Sequence, residues 1–526
     1  MVMKGKVKMM LAILMAVSCS RIGTDDERDT DLHYGRNLSH EKIVLGDRLE
    51  NPYKTENITK ALESLYPTKA DRVEVSTTDL YVRFLPADEA EFDHLSDMGL
   101  HLVDHPLDFE IVQEGDWYHD PEVEDDKVTW QYAVVPSDFI FPDIEYEIID
   151  ECHIAENVVG TRSDDGVDWE EVERQAYVMT GNSGLLCPGT KAQKSGPSGR
   201  ITIVDDSKDG GKPIGVKGVR VSCNSFVKFS HCHTDSEGYY SMDRKYSSDV
   251  RYRLVFDNEK GFSIGFNMIL VPASVSTLGT AGAEGINMTV TSDSESKLYK
   301  RCIVNNAAYD YYTRCGSDDL GITPPPSGLR LWLFHRLKEG GSVMMHNGAV
   351  LDHDLISGFL GEYVPLVKLF MPDIVLGLRN KEDFRSIYTD TCHELAHASH
   401  FRKTGTSYWN NYLQYVFKSY LYSGKMNYGD GTDDYAGYCE VAEMWAYYLA
   451  SKIAYERYGG TYDSLGTSFW FRPQVLKYIE ESGVSCAEIF SVLEDDVDSA
   501  DDLQRVLMTG NPGKSKEIEQ IFNRYR

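Results

Sequence analysis

The chain has 526 residues, enough for about three domains, each with a core of its own. With 42% hydrophobic and 26% charged residues, its composition is that of an ordinary globular protein. A formal net charge of −30 argues against nucleic acid as a partner and against adsorption to anionic lipid headgroups.

Lys4, Lys6 and Lys8 precede an apolar run from Met9 to Val17, and Ala16-Val17-Ser18 leads into Cys19. A basic start, a short apolar core and small residues make a secretory signal too short to persist as a spanning helix. With a cysteine at the cut, residues 1–19 resemble a bacterial lipoprotein signal. That resemblance implies a lipid on Cys19 as the only membrane attachment, and an outer-membrane or cell-surface location. Ala16 stands where that family usually has leucine, and Ala16-x-Ser18 also suits ordinary cleavage to a periplasmic or secreted protein. Residues 20–59 then read as a polar tether. Export permits disulfides. Of the ten cysteines, setting Cys19 aside leaves an odd number, so at least one is free. Cys223/Cys232 and Cys302/Cys315 are close enough in sequence to pair, although sequence does not fix connectivity.

Residues 60–194 read as an α+β domain of unknown role. Leu80, Val82 and Phe84 alternate with polar or aromatic neighbours, as do Leu107, Phe109 and Ile111, and Trp130, Tyr132 and Val134; each set is expected to be a half-buried strand. Gly115-Asp116-Trp117-Tyr118-His119-Asp120-Pro121 carries potential ligands but reads as a turn. Ser195-Gly196-Pro197-Ser198-Gly199 is a linker. From Arg200 to about 293, short strands separated by Gly, Asp and Ser turns predict a β-sandwich. Within it, Pro213-Ile214, Val219-Arg220-Val221 and Thr234-Asp235-Ser236-Glu237-Gly238-Tyr239-Tyr240 resemble the transthyretin-like, carboxypeptidase-regulatory-like domain. Such modules act as spacers or partner-binding units. His231 and His233 flank Cys232 on a strand and should form an exposed pair.

From 294 to the C-terminus the texture is mainly helical. Leu298 to Tyr312 reads as a helix and Leu329 to Phe334 as a strand. Pro372 to Leu378 is a second apolar strand, just before Thr389 to Phe401. That last stretch contains His393-Glu394-Leu395-Ala396-His397. On a helix, two histidines four residues apart project from one face, one turn apart, so both can reach one Zn²⁺. Glu394 then lies beside the metal, placed to take a proton from water. Leu395 points roughly the opposite way, and the apolar side buries while the imidazoles face a cleft. Helices follow over Trp409 to Tyr422, Tyr435 to Tyr458, and from Phe469 onward.

A catalytic zinc site needs three protein ligands. None of the fifteen histidines lies beyond His400, so a downstream third histidine is impossible and the third ligand should be a carboxylate. Glu443 sits among Val441, Ala442, Met444, Trp445 and Ala446, where an unpaired carboxylate would be costly and a metal would compensate it. Glu440, one turn earlier, and Asp434, in Gly431-Thr432-Asp433-Asp434-Tyr435-Ala436-Gly437-Tyr438, are the other candidates. Tyr438 to Leu449 resembles the glutamate helix of gluzincin-type zincins, with Cys439 where those proteins often place the ligand. The Gly431 to Tyr438 stretch resembles an aspzincin element with its last two residues inverted. Tyr435 or Tyr438 would enter the cleft and donate to an oxyanion. His400 would touch substrate or a ligand, or else be exposed. The strand at 372–378 would pair with extended substrate as the edge strand of zincin proteases does.

The expected fold class is therefore multidomain α+β: an N-terminal α+β domain, a central transthyretin-like sandwich and a C-terminal zincin-like domain. The expected function is a surface-anchored zinc metallopeptidase acting on peptide or protein, with His393, His397 and Glu443 as metal ligands. The competing reading is a binding lipoprotein, for host protein or glycan, whose zincin domain is inactive or structural.

Overall fold

The computed structural model describes residues 42–525 except 69–72, 125–126, 159–165, 188–195, 209, 266–274, 294–295, 335–340, 350–371, 380, 424–427 and 461–468. The signal, Cys19 and the tether as far as residue 41 lie outside the described residues. Over these residues the chain is a mixed α/β structure with a helical C-terminal region. No described helix is long and apolar enough to cross a membrane.

The first region runs β1 (Val44–Arg48), α1 (Thr55–Leu65), β2 (Asp79–Leu85), α2 (Glu89–Asp97), β3 (Phe109–Gln113), β4 (Gln131–Pro136), β5 (Glu145–Cys152) and α3 (Trp169–Met179). The chain joins the fold well before residue 60: β1 pairs with β3, and Ile43 and Tyr53 are buried. Apolar side chains at those two positions make the end of the expected tether part of the core. β2 is the middle strand of an antiparallel sheet ordered β4-β2-β5. It is buried on both faces rather than one. Leu80, Val82 and Phe84 pack with Leu95 and Val135, whereas Tyr81 joins Tyr53, Tyr132 and Tyr177 on the other side. Phe226 and Val227, from the next region, enter that second core. At the same seam Lys228 is buried between Glu156 and Glu173, 2.8 Å from each. The loop at 115–121 is a structural turn, with Asp116 held by Arg301 at 2.8 Å and His119 set between the carbonyls of Asp120 and Lys127.

The middle region holds β6 (Ser198–Val204), β7 (Pro213–Gly215), β8 (Val219–Ser225), β9 (Lys228–His233), β10 (Tyr239–Ser241), β11 (Val250–Asn258), β12 (Phe262–Gly265), β13 (Val275–Ala281) and β14 (Met288–Val290). β6 begins within the stretch read as a linker. Then come α4 (Ser296–Arg314), β15 (Leu329–Phe334), β16 (Gly341–Ser342), β17 (Ile374–Gly377), α5 (Phe384–Ser423), α6 (Ala436–Tyr458), α7 (Gln474–Glu481), α8 (Cys486–Ser491), α9 (Ala500–Gly510) and α10 (Ser515–Tyr525). α8 opens with a capping box in which Ser485 and Glu488 satisfy each other's backbone N–H groups.

One sheet joins the two regions. Its order is β16-β17-β15-β12-β11-β8-β9, with β13 also on β11. β15 pairs in parallel with both β12 and β17, so the sheet continues across residues 293 and 294. Its apolar side and the helices share one core running from Ile201 to Phe522. β17 has a partner on each flank, β15 and β16, so the edge position expected for 372–378 belongs to β16.

No disulfide joins the described cysteines. Cys223 faces Ser230 and Cys232 faces Val221, which makes them a diagonal pair on adjacent strands. Diagonal residues stand about 7–8 Å apart, beyond the usual reach of a disulfide. Cys302 sits in α4 and Cys315 just past its end, roughly 1.5 Å of rise per residue apart and far out of reach.

His105 couples the first region to the sheet. Its Nδ1 is 2.9 Å from Asp104, and its Nε2 is 2.8 Å from the Arg251 guanidinium, from which it must accept. Burial, with Arg251 and Arg253 nearby, lowers its pKa to about 4. The unfolded chain therefore takes up a proton near pH 6.5 that the folded chain refuses until about pH 4. Stability is full above 6.5 and falls as pH drops through that window, by at most about 3 kcal/mol from this group. Urea unfolding at stepped pH is expected to show a shallower acid loss in His105→Gln than in the natural chain.

Candidate metal centre

Residues 391–400 of α5 are buried on every side, so the imidazoles face protein rather than an open cleft. Cys392, Leu395, Ala396 and Ala398 pack into the common core. His393 and His397 project together toward α6, where Glu443 meets them. The two Nε2 atoms are 3.2 Å apart. Glu443 Oε2 is 3.5 Å from His393 Nε2, and Oε1 is 3.4 Å from His397 Nε2. Donors about 2.0–2.1 Å from a tetrahedral ion stand about 3.3 Å from one another. The three groups thus have the spacing of three corners of one coordination tetrahedron, and this buried triad could hold a metal ion.

The pieces around it come from a break in α5. Gly405, at φ 79° and ψ −179°, interrupts the helix and lets its second segment turn back. Tyr412 then donates its hydroxyl to Glu443 Oε1 at 2.8 Å. Trp409 lies 5.6 Å from the His397 ring and donates its indole N–H to the Ser342 carbonyl at 2.9 Å. From α6, Trp445 donates to the Ala396 carbonyl at 3.1 Å, fixing the two helices' register. Tyr447, one turn past Glu443, places its ring 4.5 Å from that of His393. A Cβ at Gly405 would meet nothing within 4 Å, so Gly405→Ala is costly through its backbone alone. That conformation is nearly exclusive to glycine. The expected loss is about 1–3 kcal/mol, read from the urea midpoint.

Glu394 lies beside the triad. The Ser342 hydroxyl sits 2.8 Å from both its carboxylate and its carbonyl oxygen. Burial lifts this carboxyl to about 7, with Glu443 and Asp390 adding to the effect and His393 and Ser342 opposing it. Burial also acts to raise Glu443, but the two imidazoles overcome it and hold that carboxyl well below the usual range. Two acids one helix apart are thereby separated, one kept ionised and the other near neutrality.

The remaining candidates lie elsewhere. Glu440 accepts the Ala500 N–H at 2.9 Å, at the start of α9. Asp434 is exposed. Tyr435 is 40% exposed and leans on Tyr438, ring centroids 6.0 Å apart. Tyr438 packs against Tyr408 at 4.7 Å, and its hydroxyl interacts with Asn411 and Asp498. His400 is buried, its ring between Tyr408 and Trp409, and burial lowers its pKa to about 3. His231 and His233 are exposed on β9. Tyr412, Ser342, Tyr447 and Trp409 were not read as site residues. The aromatic richness of Trp409 to Tyr422 was the only signal, and it indicates a core equally well.

No protein-family model, no curated protein and no solved structure matches this chain.

Proposed function

We propose that the chain is a zinc-dependent metallopeptidase, gluzincin-like in its site, with His393, His397 and Glu443 as ligands and Glu394 as general base. The observation that carries this is the set of donor spacings, 3.2 to 3.5 Å, with a further carboxylate beside them. Zinc, when bound, supplies a Lewis acid and an open coordination position. The protein supplies the rest. Glu394, the buried carboxylate beside the triad, takes the proton of the attacking water and delivers it to the departing amine. Ser342 and the backbone it anchors hold that carboxylate in place, and Tyr412 fixes Glu443. Tyr435 and Tyr438, grouped with Tyr408, draw no support from their surroundings as oxyanion donors. The strands β6 to β14 would be the transthyretin-like spacer, and lipid on Cys19 would hold the enzyme at the outer membrane or cell surface.

Burial favours a second reading. His397 and Glu443 are fully buried, as a structural ion's ligands would be in a binding lipoprotein. A structural zinc site, however, ordinarily has four protein ligands, and the cluster among the described residues has three. Elemental analysis of the purified full chain, paired with digestion of a mixed peptide library, separates the readings. About one zinc per chain with phenanthroline-sensitive cleavage is expected. Zinc without cleavage leaves the binding reading, and no metal sinks both.

A further inference from the structure

A second site lies across the molecule from the histidine helix, on the polar side of the large sheet. Strand register places Arg220, Ser222 and Asn224 of β8 beside Arg251, Arg253 and Val255 of β11, and beside His231 and His233 of β9. One sheet face thus carries three arginines in a chain of net charge −30. The first region covers this face incompletely, leaving a cavity of about 620 Å³ lined by Arg220, Arg251, Arg253, His101 and His231.

The charges on this wall are unevenly matched. Arg251 is held by Glu114 at 2.6 Å and by His105. Arg220 reaches Asp257 at 3.3 Å. Arg253 is 4% exposed, and among the described residues its guanidinium hydrogen-bonds only to the neutral amide of Asn224. No carboxylate among the described residues lies within ion-pair distance of it. Five carboxylates also line the cavity. Asp93 is engaged by Arg330, Asp116 by Arg301 and Asp257 by Arg220; Asp104 is hydrogen-bonded to the neutral His105, and Asp97 is exposed at the rim. A guanidinium has five N–H donors, and a buried cation is costly without an anionic partner. Arg253 therefore stands at the wall of a cavity as a buried cation with most of its donor fork unused. Burial and the neighbouring Arg251 lower its pKa to about 9, against the opposing pull of Asp104 and Glu114, neither of which reaches it as an ion pair.

We propose that this cavity binds a small organic anion whose carboxylate or phosphate head sits on Arg253, with Arg220 at the mouth. The volume lies within the 300–1,000 Å³ of small-molecule sites, and is many times the roughly 30 Å³ of one water, so a bare inorganic ion would leave it largely empty. The stacked rings of His101 and His231, with centroids 5.2 Å apart and planes within 11°, give the ligand body a flat wall.

Calorimetric titration of the full chain with glucose 6-phosphate, glucuronate and glucose tests this. The two charged sugars separate phosphate from carboxylate heads, and glucose is the neutral control. Saturable one-to-one binding of at least one charged sugar, with glucose inert, is expected. Arg253→Met should weaken it tenfold or more while raising the unliganded melting temperature, because it removes an unmatched buried charge. Should that variant fail to fold, Arg220→Gln at the mouth should still weaken binding severalfold. Equal binding of glucose, undiminished binding in the folded variants, or no binding of either charged sugar overturns the proposal.

Discussion

Glu394→Gln is expected to lower peptide hydrolysis by about 10²–10⁴-fold while leaving the metal content at its natural level, since general-base assistance is worth that much. The amide matches the carboxylate in shape and still accepts from the Ser342 hydroxyl, now 2.8 Å from Glu394. Packing around a residue only 3% exposed is therefore preserved. What is lost is an oxygen able to hold the proton of water, at a site where burial has lifted the carboxyl to about 7. Metal analysis and kcat on one preparation decide the matter. Retained activity would remove Glu394 from the chemistry, and loss of metal together with activity would make it a structural residue.

Glu443→Ala should have the other large effect. It leaves His393 and His397 with their Nε2 atoms 3.2 Å apart and without the Glu443 carboxylate beside them, and it removes the acceptor that Glu443 offers the Tyr412 hydroxyl. Removing one member of a buried charged cluster costs about 3–5 kcal/mol. Loss of a ligand also removes whatever stabilisation a bound ion adds. Bound metal should fall from about one equivalent to near zero, and the unfolding midpoint should become insensitive to chelator. A variant that keeps its full metal content would show that another carboxylate is the third ligand. Glu440 is poorly placed for that role, since its carboxylate caps the N-terminus of α9 at Ala500.

The legible part of the site is the part written locally. His393, Glu394 and His397 share one helix, so a four-residue spacing is enough to align them. Glu443 was legible from energetics, because a carboxylate flanked by Val441, Ala442, Met444 and Trp445 needs a partner. Tyr412 and Ser342 were not. The first arrives through the turn at Gly405, and the second through a two-residue strand more than fifty positions upstream of the acid it holds. The strand alternation in residues 200–293 was readable, and β8, β9 and β11 lie where it is found. Parallel pairing of β12, β15 and β17 leaves no comparable trace, since it depends on strands far apart in sequence. Nor did alternation reveal that β2 is covered on both faces, which depends on what packs over it.

That parallel pairing bears on how the molecule tolerates being divided. Cutting between residues 293 and 294 would strip β15 of β12 along Leu329 to Trp332, opening an apolar ribbon with unpaired amides on each fragment. Either half expressed alone should then precipitate or dimerise through the exposed flank. For the same reason, proteolytic trimming from the N-terminal side that reached β12 would loosen the support beneath the histidine helix without touching His393, His397 or Glu443.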